Sequence, residues 1–123
     1  MSENNIATIL CSAYDSGVSK LLEAALRGAM GYNVISVSNC DEAIPQVPLA
    51  DLVLSDINNG GYKLADYVSE HFKGLPVVLM SSCNPDTDKI KNAIFLAKPF
   101  SLVELEVLLN RIIPQNLKPK QKQ

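Results

Sequence analysis

The sequence predicts an α/β protein built on a single doubly wound, five-stranded parallel sheet with helices on both faces. Three observations carry that prediction. Short apolar runs at residues 6–12, 32–37, 50–57, 76–82 and 93–97 alternate with stretches of helical periodicity, the pattern of repeated βαβ units. The run at 76–82 does not alternate polar and apolar residues, which suits a parallel strand covered on both faces. A chain of 123 residues is one domain, long enough to bury a core without a metal or disulfide staple.

Taken in order, the first strand at 6–12 leads to Asp15 and Ser16, which can cap a helix. Its apolar positions Val18, Leu21, Leu22, Ala25 and Leu26 form one stripe at i, i+3, i+4, i+7 and i+8. Gly28 and Gly31 end it, and 32–37 is the second strand. A helix begins at 41–47, but Pro45 and Pro48 limit it to about one regular turn, because proline removes a donor and clashes with the preceding turn. The third strand is 50–57, followed by turn chemistry at 58–61. Leu64, Tyr67, Val68 and Phe72 mark one face of the next helix. After the fourth strand, Asn84-Pro85 caps a short helix with Asp86 and Asp88 early and Lys89 and Lys91 late, an order that suits the helix dipole. The fifth strand is 93–97. Ser101 and Glu104 form a capping box for the last helix, with Leu102, Leu105, Leu109 and Ile112 on one side. The domain is expected to span residues 1–116, with 117–123, rich in Lys and Gln, as a flexible tail.

Composition excludes several classes of function. The formal charge of −2 argues against nucleic acid as a partner, since phosphate neutralisation needs a basic surface. No apolar run is long enough to span a bilayer, and residues 1–5 are too polar and too few for a signal peptide, so a cytoplasmic protein without a membrane partner is expected. Cys11, Cys40 and Cys83 are odd in number and lack metal-ligand spacing, which reads as free thiols.

In open parallel sheets the binding crevice lies outside the carboxyl ends of the strands, where the strand order switches. Asp56 ends the third strand, Ser81 closes the fourth and Lys98 follows the fifth, so all three should face one crevice. A carboxylate that can attack, with a hydroxyl and a cation to hold oxygens, suits phosphoryl chemistry. Each residue also has a plainer role open to it. Asp56 could cap the following turn, Ser81 could bond to backbone and Lys98 could be solvated. Phe95 could be plain core, Asp15 a helix cap, and His71 a surface residue.

These stretches resemble the receiver domains of two-component response regulators over roughly residues 6–113. "DLVLSDI" resembles the strand that ends in the phosphoacceptor, which would be Asp56. "PVVLMSS" resembles the strand ending in the hydroxyl that binds the phosphoryl group, here Ser81. "FLAKPF" resembles the last strand, with Phe95 as the aromatic switch and Lys98 before a cis proline. The resemblance implies a flavodoxin-like fold and a signalling protein that is not an enzyme. It also implies a histidine kinase or phosphotransfer protein upstream and an effector protein downstream, docked around the fourth helix, fifth strand and last helix, where Lys89, Lys91, Asn110 and Arg111 would point outward. With only a short basic tail after the last helix, a stand-alone receiver whose output passes through a partner is expected.

The sequence departs from the family pattern on the active-site face. Receivers carry two adjacent acidic residues after the first strand to hold Mg²⁺; here Ala13 and Tyr14 stand there, with Asp15 one step late. The turn after Asp56 reads Asn-Asn-Gly-Gly without the usual proline, and the segment between Ser81 and Phe95 is short. The metal set reduces to Asp56, the Asn58 carbonyl and Asp15. Asp56 at −1 and Lys98 at +1 sum to zero, so Mg²⁺ is expected to bind weakly, given its demand for near-octahedral oxygen ligands. Two readings stay open: a phosphoaccepting receiver in a phosphorelay, and a pseudo-receiver that acts as a phosphorylation-independent interaction module. A phosphatase of the haloacid-dehalogenase kind would want a second Asp at position 58, which is Asn.

Overall fold

The computed structural model describes residues 6–58, 60–82 and 92–119. Five parallel strands form one sheet in the order β2-β1-β3-β4-β5, with β1 at Thr8–Ser12, β2 at Asn33–Val37, β3 at Leu52–Asp56, β4 at Val77–Ser81 and β5 at Ala93–Ala97. The chain steps from β1 to β2 on one side and then to β3 on the other, so the strand order switches between β1 and β3. Every residue of β3 and β4 is buried, as central parallel strands require.

Alternation along the strands builds two cores. Ile9, Cys11, Leu52, Leu54, Val78 and Met80 face one layer, where they meet Leu22, Leu26, Leu105 and Leu109. Leu10, Val53, Val77 and Leu79 face the other, against Cys40, Ala43, Val47, Leu64 and Val68. The first layer is α1 (Ser16–Glu23, continuing as π-helical turns over Ala24–Ala29) with α4 (Leu102–Ile112). The second is α2 (Cys40–Ala43) with α3 (Gly61–His71). The sheet is therefore doubly wound.

Local chemistry sets the helix ends. Asp15 Oδ1 accepts from the amides of Gly17 at 2.8 Å and Val18 at 3.1 Å, capping α1. Asn39 caps α2, and after Ala43 the chain tightens into a 3₁₀ helix at Ile44–Leu49 that holds both prolines, so the single regular turn expected there is what forms. Ser101 and Glu104 make the expected capping box.

Two expectations change. Val18 and Leu21 do not belong to the buried face of α1: they are 37% and 60% exposed, while Leu22, Ala25 and Leu26 are buried. The helix also widens to π geometry from Ala24, with Met30 N donating to Ala25 O at 2.9 Å, so a strict 3.6 period does not run its length. In α4, Leu102 is exposed at the first helical position, and the seat is Leu105 and Leu109, continued by Ile113. A 3₁₀ turn at Gln115–Leu117 is held by Ala7 N donating to Leu117 O at 2.9 Å, and Lys118 Nζ donates to Asn110 O at 2.7 Å. Leu117 packs against the first core because it offers an apolar side chain beside β1.

The short helix expected from Asn84 onward, with Lys89 and Lys91, lies outside the described residues, as does Cys83. Cys11 and Cys40 are free and buried. Among the described residues no helix is long and apolar enough to cross a membrane.

Candidate functional site

Register aligns the strand ends. Asp56 sits opposite Met80 and Ser81 opposite Ala97, so β3, β4 and β5 finish within a residue of each other at the carboxyl edge. Asp56 is 7% exposed and Ser81 is 4% exposed. The amide of Lys98 donates to the Ser81 carbonyl at 2.7 Å, carrying the β5 ladder one residue past the strand. Lys98 Nζ meets Asp56 Oδ1 at 2.5 Å, and the Lys98–Pro99 peptide is cis. The sequence-predicted Asp56, Ser81 and Lys98 therefore share one edge, with Asp56 and Lys98 in direct ion contact.

The turn beyond Asp56 depends on two glycines. Gly60 has φ +92°, a left-handed conformation that side chains other than glycine's rarely accept, and a β-carbon there would lie 2.6 Å from Cys40 Cβ. A β-carbon on Gly61 would lie 2.2 Å from the Asp56 carbonyl oxygen. The Gly-Gly pair that replaces the expected proline thus lets α3 start directly against the end of β3. Asn58 is exposed in this turn.

The acidic pocket is different. Ala13 is buried with its amide on the Val37 carbonyl at 3.2 Å, and the Tyr14 side chain is 74% exposed. What Tyr14 brings to the site is its backbone: its amide donates to Asp56 Oδ2 at 3.3 Å. Both oxygens of the carboxylate thus have a donor. Asp15 is exposed, with Oδ1 engaged in capping α1 instead of reaching toward Asp56. Among the described residues no three His, Cys, Asp or Glu side chains gather to hold a metal. Sequence reasoning missed the Tyr14 amide, since side-chain patterns do not report backbone donors. The Gly-Gly pair was the available signal for close backbone approach.

Phe95 is half-buried in the second core. Asn110 and Arg111 are exposed on α4. His71 is a surface residue stacked on Tyr67 at 4.4 Å between ring centroids. Near the site, burial pushes the Cys11 thiol up to about 12, helped by the charges of Asp56 and Glu23, so it stays protonated and is no nucleophile.

A protein assigned as a response regulator, from Chloroflexus aurantiacus, shares this fold with 30% identity and a TM-score of 0.75, covering 87% of this chain and 97% of that one. The chain belongs to the response-regulator receiver domains. The fold of this receiver is also that of the chemotaxis protein CheY4 of Vibrio cholerae, with 21% identity, a TM-score of 0.76 and coverage of 88% and 99%. The receiver domain of the sensor histidine kinase PA1611 from Pseudomonas aeruginosa is 23% identical with a TM-score of 0.76, covers 87% and 97%, and has a magnesium ion coordinated in its active-site cleft. No family model and no curated protein matches the sequence.

Proposed function

We propose that this receiver works in two-component signalling as a protein-interaction module whose output does not require Mg²⁺-assisted phosphorylation of Asp56. The observation that supports this is the state of the carboxylate: Lys98 Nζ holds Oδ1 and the Tyr14 amide faces Oδ2, and no three His, Cys, Asp or Glu side chains gather to hold a metal among the described residues. Receivers of the usual pattern hold Mg²⁺ with an acidic pair, the phosphoacceptor and a backbone carbonyl. Here the equivalents are Asp56 and the Asn58 carbonyl, since Ala13 and Tyr14 offer no carboxylate and Asp15 caps a helix. One carboxylate already neutralised by an ammonium does not fit a cation that keeps its waters unless several oxygens replace them.

A second reading has its own support. Asp56, Ser81 and Lys98 keep the order, strand context and common edge of a phosphoacceptor site, and Asp56 would take a phosphoryl group from a histidine kinase or phosphotransfer protein. Lys98 alone would then offset charge that metal ions normally bridge, which makes the transfer slow.

Incubation with acetyl phosphate and Mg²⁺, followed by intact-mass measurement, separates the two. The expected result is no phosphoryl adduct over an hour-scale incubation, with an adduct gained when Ala13→Asp and Tyr14→Asp are introduced together. Stoichiometric modification of the unchanged protein, lost in Asp56→Asn, would establish the second reading.

A further inference from the structure

We infer that the Tyr14 backbone amide is a resident ligand of Asp56, so that the carboxylate latches the loop between β1 and α1 in place of a metal ion. A nearly buried carboxylate needs donors on both oxygens, and an amide facing a charged oxygen makes a charge-assisted bond. Lys98 supplies the donor to Oδ1 and Tyr14 the donor to Oδ2.

The loop is built to present that amide. On one side Ala13 N is fixed to the Val37 carbonyl, which extends the edge of the sheet past β1. On the other, Asp15 Oδ1 holds the Gly17 and Val18 amides and its carbonyl accepts from Ser19 N at 2.9 Å, which locks the first turn of α1. Tyr14 lies between these two clamps with its side chain in solvent, so its N–H alone enters the site. The identity of the side chain at position 14 is therefore immaterial to the latch, and the charge on Asp56 is essential. Through its two oxygens and its own strand, Asp56 ties together the β1–α1 loop, β3 and the segment after β5. Any change that removes its charge releases the Tyr14 amide between the two clamps. The latch does not depend on whether Asp56 is ever phosphorylated, and its test uses no phosphodonor.

Amide exchange followed by NMR in the full chain tests it, with the Leu10 and Val53 amides as internal references for global opening. In the unchanged protein the Tyr14 amide is protected. Asp56→Ala should speed its exchange relative to the references by about five- to tenfold, the worth of one hydrogen bond of ordinary strength. Asp56→Asn should give an intermediate increase, and it serves alone if Asp56→Ala fails to fold. Tyr14→Ala and Lys98→Met should each leave the position-14 amide protected, and millimolar Mg²⁺ should not move its signal. The inference is overturned if the Tyr14 amide exchanges freely in the unchanged protein, or if its relative rate is the same in both Asp56 variants. Loss of protection in Tyr14→Ala or Lys98→Met would also overturn it, as would a shift of the Tyr14 signal at micromolar Mg²⁺.

Discussion

Gly61 has no room for a side chain, because its neighbour on that side is the Asp56 carbonyl oxygen, backbone that cannot rotate away. Gly61→Ala must therefore move either β3 or the start of α3, at a cost of about 1–3 kcal/mol of the kind seen on overpacking a core. Gly28→Ala is the control, since a β-carbon there meets nothing within 4 Å. It should be neutral or slightly stabilising, by up to about 1 kcal/mol, because alanine loses less backbone freedom on folding. Urea midpoints of the two variants check both; equal midpoints would mean that the Asp56 turn has slack. At this scale the sequence was informative where a side chain does the work. Asp56, Ser81 and Lys98 could be placed together because each closes an apolar run at the same end of a parallel sheet. The Tyr14 amide could not, because any residue but proline supplies one. Asp15 was legible as a cap, the role that its Oδ1 takes at the start of α1.

Helix α1 shows where element-level reading ends. Its five-residue apolar stripe predicts one buried face, yet Leu22, Ala25 and Leu26 fill the seat and Leu21 points away at 60% exposure. A helical wheel counts apolar residues without knowing how wide the groove is, and the π turns from Ala24 change the angular step partway along. Two neighbouring leucines should therefore behave differently. Leu22→Ala removes a buried side chain from the first core and should cost about 2–5 kcal/mol. Leu21→Ala removes an exposed one and should stay within about 0.5 kcal/mol. Thermal or urea unfolding of the pair decides it, and similar losses would restore the broader stripe. The α2 segment went the other way: Pro45 and Pro48 act through covalent geometry, which needs no knowledge of the partner surface, and the short turn read from them is the one observed.

For the whole molecule, the alternation of apolar runs with helical stretches made the doubly wound architecture legible before any contact was known. The ionisation of its core was not, because that depends on which strand lies beside which. Cys11 is fully buried on β1, next to the strand that carries Asp56, and its thiol is held at about 12 against a usual 9.0 by burial first and by the nearby carboxylates second. Below pH 9 the thiol is protonated both folded and unfolded, and it contributes no pH dependence. Between pH 9 and 12 the unfolded chain releases the proton while the folded chain keeps it, so ionisation favours the unfolded state and stability falls as pH rises. The full loss approaches about 4 kcal/mol at pH 12, three pK steps of about 1.4 kcal/mol each, of which the first third is reached near pH 10. Tyr32 is raised as well, by burial and then by Glu106, and acts in the same direction at higher pH. The clean quantity is a difference between two proteins that share every other group. Cys11→Ala lacks the thiol and should be less stable than the unchanged protein at pH 7, where only the lost packing counts. Its deficit should stay the same from pH 7 to pH 8 and then shrink from pH 9 to pH 10, as read by urea unfolding under reducing conditions. A deficit that stays constant over that range would show that the thiol ionises as readily in the folded sheet as in the open chain, and that the β1–β3 region admits more water than its burial indicates.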